Sequence, residues 1–235
     1  MQQYKIDFIK LLVKAKALKF GEFTLKSGRI APYFFNAGSF FTGELVSELA
    51  KAYAGAFSDS KLDVDVIFGP AYKGIPLAVS TVEVLYKEFG KNVSYCFNRK
   101  EAKDHGEGNL LVGAPLNEDT KVLLIDDVMT AGTAVRESMD VLKANGNPKV
   151  SGILIAMDRM EKNNDGVSAV KSVTEMFNVP VYSIVNLDDV VEVLHGKEID
   201  GVVYIDDEKM ELIKKYREQY GAGRCIRYFD ILYTV

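Results

Sequence analysis

The amino-acid sequence predicts an α/β fold, with a mostly parallel central sheet flanked by helices, a small hood near the N-terminus and one mobile loop. Three observations carry this. Short, β-branched-rich apolar runs stand at 64–68, 93–97, 122–125, 152–157 and 181–185, punctuated by Gly, Pro, Asn or Asp. Continuous apolar runs of this kind suit strands buried on both faces of a parallel sheet. Helical periods fill the gaps, near 43–57, 75–89, 132–145, 166–178 and 187–195, and such a βαβ succession puts helices on both sides of the sheet. The 235 residues are 48% hydrophobic and 26% charged, sufficient for one sizeable core, and no repeat, low-complexity tract or Pro-rich linker divides them. A single domain over 1–235 is expected.

In chain order, residues 1–20 read as an amphipathic helix capping the core, with Ile6, Ile9, Leu12 and Val13 at helical spacing among five lysines. The stretch lacks the Arg and Ser of a transit peptide and the apolar run of a signal peptide. Residues 20–40 form the hood. Within them, the aromatic trio Tyr33, Phe34 and Phe35 stands near Lys26 and Arg29; it suits stacking on a planar anionic ring, with burial in the core as the plain alternative. After the run at 64–68 comes Gly69-Pro-Ala-Tyr-Lys-Gly74, a tight turn whose amides, with Lys73 beside them, suit a pyrophosphate. After the run at 93–97, residues 98–108 gather Arg99, Lys100, Lys103 and His105 before two glycines. Charge runs are commonly solvated surface, but this one also suits a lid over phosphates.

The most informative segment follows the run at 122–125. Asp126 and Asp127 lead into Val128, Met129, Thr130, Ala131, Gly132, Thr133 and Ala134, where a helix opens. Amides at a helix N-terminus bind anions, Gly132 allows close approach, and the two Thr hydroxyls add donors. Carboxylates just upstream accept from sugar hydroxyls. An Asp pair alone reads as a turn with an N-cap; the Thr-Ala-Gly-Thr sequel favours a ribose-5-phosphate site. Arg159, after the run at 152–157, is placed to grip a carboxylate, the alternative being an ordinary surface residue. His195 reads as a helix C-terminal residue, and a capped helix is expected over 206–220. The apolar tail 222–235 needs a surface to pack on.

Several classes are excluded. Twenty-nine basic against 33 acidic residues give a net charge of −4, so no global basic field exists for nucleic acid or an anionic membrane. No run approaches the ~18 apolar residues of a membrane span. Cys96 and Cys225 make neither a disulfide framework nor a metal spacing, which suits a reduced cytoplasmic protein. P-loop and dinucleotide fingerprints are absent.

Together, these segments resemble the type I phosphoribosyltransferases and, within them, the orotate-specific family, from about Tyr4 to Gly221. The resemblance implies transfer of a phosphoribosyl group from phosphoribosyl pyrophosphate to orotate. Asp126 and Asp127 would hold the ribose hydroxyls and residues 128–134 the 5-phosphate. Lys26, Tyr72, Lys73, Arg99, Lys100, Lys103 and His105 would serve the donor. Phe34, Phe35, Thr130 and Arg159 would serve orotate. Lys103, His105 and Asp127 carry the catalytic expectation. Mg²⁺ is implied, held through substrate oxygens and water with no direct protein ligand, and so is a homodimer sharing the mobile loop. Rival readings are a phosphoribosyltransferase for another base and a non-catalytic phosphoribosyl-binding regulator.

Overall fold

The computed structural model describes residues 1–25, 28–100, 110–129, 132–163 and 166–222. Helix α1 (Gln3–Lys14) leads into strands β1 (Leu18–Thr24) and β2 (Ile30–Phe35), which pair antiparallel as a separate two-stranded sheet. The helix expected over 1–20 therefore stops early. Lys16 adopts a left-handed φ of 54°, Ala17 and Leu18 are buried, and the aromatic residues from Phe20 onward find cross-strand partners instead.

The remaining chain alternates as expected: α2 (Gly43–Ser60), β3 (Val66–Phe68), α3 (Gly74–Phe89), β4 (Ser94–Asn98), β5 (Leu111–Gly113), β6 (Lys121–Val128), α4 (Thr133–Ala144), β7 (Lys149–Asp158), α5 (Ala169–Phe177), β8 (Val181–Asn186), α6 (Leu187–Leu194), β9 (Glu198–Ile199), β10 (Val202–Val203) and α7 (Asp207–Tyr220). The central sheet has the order β5-β4-β3-β6-β7-β8, parallel except for β4 with β5.

Alternation along the strands explains the continuous apolar runs. Ile67, Leu123, Ile125 and Leu154 pack with residues of α1, α2, α3, α6 and α7. Their neighbours Phe68, Val122, Leu124, Ile153 and Ile155 pack with Val135 and Leu142 of α4 and Val173 of α5. Both faces of the sheet are covered, so each strand is apolar throughout.

Side-chain caps start several of the helices: Thr42 accepts from the Leu45 amide at α2, Asn186 and Asp189 form a capping box at α6, and Asp206 accepts from the Lys209 amide at α7. His195 ends α6, as read from sequence, and its Nε2 lies 3.1 Å from Asp207. Two short pairings escaped the sequence reading. Strand β5 is too brief to show a pattern, whereas Asp200 and Gly201, both at positive φ, are the Asp-Gly signal of the β9–β10 hairpin.

Candidate active site

Three connections converge at the carboxyl ends of the central strands, where open α/β sheets bind ligands. Strand β6 runs three residues past the expected 122–125, because its parallel pairing with β7 continues through Asp126 with Ile155 and Val128 with Met157. The Asp pair thus lies on the strand's last residues rather than in a turn. The Asp126 carboxylate accepts from the Asp127 amide and the Asp127 carboxylate from the Val128 amide, each at 2.8 Å. Tyr53, fully buried on α2, donates its hydroxyl to the Asp126 carbonyl at 2.8 Å. Burial first, and the negative charge of Asp127 second, push the Asp126 carboxyl up to about 6.

Lys73 caps α3 and donates from Nζ to Asp127 Oδ2 at 2.8 Å, an exposed ammonium on a buried carboxylate. The loop before it is stitched down: the Ala71 amide donates to Asn98 Oδ1 at 3.0 Å and the Gly74 amide to the Pro70 carbonyl at 2.9 Å. A Cβ on Gly69 would stand 2.0 Å from the Gly74 carbonyl oxygen, so no larger residue closes this turn. Tyr72 is 70% exposed, and Lys100 Nζ stands 5.8 Å from the centre of its ring. At the foot of the 98–108 segment, the Arg99 amide donates to the Leu110 carbonyl. Antiparallel β4 and β5 flank residues 101–109, which lie outside the described residues.

A cavity of about 460 Å³ joins these parts. Tyr72, Lys73, Arg99, Lys100, Asp126, Asp127, Val128 and Ala134 line it, together with Asn98, Glu137 and Ser138, which sequence reasoning did not single out. Helix α4 opens from Gly132 at φ 73°, where an added Cβ would meet Val173 Cγ2 at 2.6 Å. The amides of Thr133, Ala134 and Val135 stand in its first turn without intrahelical partners. Met129 is buried just before the turn. Lys26, Lys103, His105, Thr130 and Ala131 lie outside the described residues.

Of the residues read as acceptor-binding, the described ones (Phe34, Phe35 and Arg159) form a second group that does not line that cavity. Phe34 and Phe35 are successive residues of β2 and so point to opposite faces. Phe34 is 41% exposed and stacks on Phe23 at 5.7 Å, while Phe35 packs against the core. Their neighbour Tyr33 is buried. Arg29 does not join the trio; its guanidinium lies 4.7 Å from the centre of the Tyr220 ring on α7. Arg159 follows β7, next to β6 in the sheet, and its Nη2 is 3.4 Å from Glu161 Oε2. Glu161 was not foreseen; an acid two residues beyond a strand-end Arg was the available signal.

Among the described residues, no group of three or more His, Cys, Asp or Glu could hold a metal ion, and no helix is long and apolar enough to cross a membrane. Residues 42–185 match the family model of the phosphoribosyl transferase domain, the class that this sheet and the β6–α4 turn define. The orotate phosphoribosyltransferase of Colwellia psychrerythraea is 51% identical over 224 residues, covering 94% of this chain and 100% of that relative. That of Lachnoclostridium phytofermentans is 46% identical over 223 residues, covering 94% and 99%. A crystal structure of orotate phosphoribosyltransferase from Francisella tularensis superposes with a TM-score of 0.79 at 45% identity, covering 91% of this chain and 98% of that one. The chain belongs to the orotate phosphoribosyltransferase family.

Proposed function

We propose that this protein transfers the 5-phosphoribosyl group of phosphoribosyl pyrophosphate to orotate, releasing orotidine 5′-monophosphate and pyrophosphate in pyrimidine biosynthesis. The carrying observation is the Asp126–Asp127 pair, with Lys73 2.8 Å from Asp127, ahead of the open N-terminus of α4. Two carboxylates there suit ribose hydroxyls, and the helix amides suit the 5-phosphate. Residues 128–134, Thr130 and Ala131 included, form the phosphate turn. Tyr72, Lys73, Arg99 and Lys100, with Lys26, Lys103 and His105, face the pyrophosphate.

Breaking the bond between C1′ and pyrophosphate builds positive charge on the sugar and negative charge on the leaving group. Lys73 and the loop cations stabilise the second, and Asp126 and Asp127 hold the sugar in place. A ring nitrogen of orotate attacks C1′, so the chain supplies no covalent nucleophile. Arg159 pairs with the orotate carboxylate, and Phe34 and Phe35 border the ring. Among the described residues no third His, Cys, Asp or Glu joins the Asp126–Asp127 pair, and a Mg²⁺ ion would be held mainly through substrate and water oxygens. When bound, Mg²⁺ neutralises charge on the leaving pyrophosphate.

The protein acts as a single-domain homodimer, each protomer lending Lys103 and its loop to the other. A cytoplasmic setting is part of the reading, supported by Cys96, a buried free thiol that burial pushes up to about 11. The test follows orotate absorbance with phosphoribosyl pyrophosphate, with and without a chelator. Mg²⁺-dependent loss of orotate with release of pyrophosphate is expected. A stable orotate signal, with the donor still bound by calorimetry, rejects the acceptor and leaves only the phosphoribosyl site.

A further inference from the structure

We propose that Glu161 is a positioning residue that braces the two ends of the acceptor site against each other. Its carboxylate is shared. Oε1 accepts from the Tyr33 hydroxyl at 2.7 Å, and Oε2 lies 3.4 Å from Arg159 Nη2. Tyr33 immediately precedes Phe34 and Phe35, the residues assigned to the ring, and Arg159 is assigned to the ring's carboxylate. One side chain therefore sets how far the carboxylate anchor stands from the ring-bordering strand. The inference rests on that assignment of Arg159.

The backbone around Glu161 is built to hold it there. Met160 takes a left-handed φ of 55° and its amide donates to Asp158 Oδ1 at 2.8 Å, which turns Arg159 and Glu161 toward each other. The same turn is tied to the end of α7, with the Lys162 amide on the Tyr220 carbonyl and the Ala222 amide on the Met160 carbonyl, both 2.8 Å. Tyr33 stays a proton donor, because burial and the Glu161 charge push its hydroxyl well above the ordinary range.

A second observation points to a ligand. The Arg159 and Glu161 side chains are only 19% and 10% exposed, yet Arg159 Nε is buried with no hydrogen-bond partner. A buried donor on a charged group left without a partner is costly, and an acceptor brought by a ligand would recover that cost. Glu161 takes one edge atom of the guanidinium and leaves Nε–H for a second carboxylate, the kind that orotate carries.

The test compares orotidine 5′-monophosphate with uridine 5′-monophosphate, which lacks only the carboxylate. Binding of both is measured by calorimetry for the wild type, Glu161→Gln, Tyr33→Phe, Arg159→Ala and the Arg159→Ala/Glu161→Gln double variant. Glu161→Gln is expected to weaken the carboxylated nucleotide about tenfold and the other less than about twofold, with Tyr33→Phe acting about threefold in the same direction. In the Arg159→Ala background, Glu161→Gln is expected to change nothing further. Equal weakening of both nucleotides, tighter binding of the carboxylated one, or an undiminished Glu161 effect without Arg159 each overturns the brace. If Arg159→Ala leaves the preference between the nucleotides intact, the acceptor assignment itself falls. Tyr33→Phe keeps the buried ring and guards against loss of fold in the other variants.

Discussion

Asp126 and Lys73 carry the charges whose removal is most informative. The folded pKa of Asp126, about 6, lies above its ordinary 3.8. Between those values the folded chain keeps a proton that the unfolded chain has lost, so this group makes stability fall as pH rises from about 4 to about 6. Asp126→Asn is expected to flatten that slope in denaturant titrations, while weakening donor binding at pH 8 by removing an acceptor for a ribose hydroxyl. In the wild type, donor affinity measured by calorimetry is expected to drop below about pH 6 as the carboxylate protonates. Lys73→Met removes the ammonium from Asp127 and, in the proposed mechanism, from the leaving group as well. Steady-state kinetics are expected to show turnover down about a hundredfold with KM for orotate little changed; a rise confined to KM for orotate would place Lys73 on the acceptor side. These local features were legible in the sequence because each lies within a few residues of a strand end. Glu161 stands as near a strand end, but its role was not legible, because it is set by Tyr33, 128 residues away.

The turn from β6 into α4 is an element built around one glycine. Gly132 sits at φ 73°, and a methyl group there would collide with Val173 Cγ2 at 2.6 Å. Gly132→Ala thus combines a strained backbone with overpacking, and chemical denaturation is expected to show a loss of about 1–3 kcal/mol. Donor affinity is expected to fall as well, because the α4 amides move with the turn. Unchanged stability would mean that α5 yields to the methyl group. At this scale the sequence was read well where elements are long and periodic: α2, α3, α4 and α6 lie where expected. It was read poorly where tertiary pairing overrides local pattern, as when Phe20 left a helical stretch to pair with Tyr33.

For the whole molecule, a dimer whose protomers exchange the loop bearing Lys103 makes a sharp prediction. In the proposed dimer, the Lys103 and Asp127 of one site come from different subunits, so the pure Lys103→Ala and Asp127→Asn variants are each expected to be nearly inactive. Mixing and re-equilibrating the two is expected to restore about a quarter of wild-type activity, since half the dimers are mixed and each holds one intact site. No recovery, with mixed dimers verified by native mass spectrometry, would show that each subunit closes its own site.

By itself, the sequence determined the α/β class, the strand-end positions of Asp126, Lys73 and Arg159, and the helix-opening turn at Gly132. These follow from patterns local to the chain: apolar runs bounded by turn residues, and donors and acceptors at fixed short spacings. Only the tertiary structure decided which of them meet. Lys73 reaches Asp127 across 54 residues because β3 pairs with β6, which brings the two loops after those strands side by side. Tyr33 reaches Glu161 because the β1–β2 hairpin packs against α7 and the turn after β7. Contacts of that kind depend on strand order and packing, and a linear pattern of hydrophobicity and charge records neither.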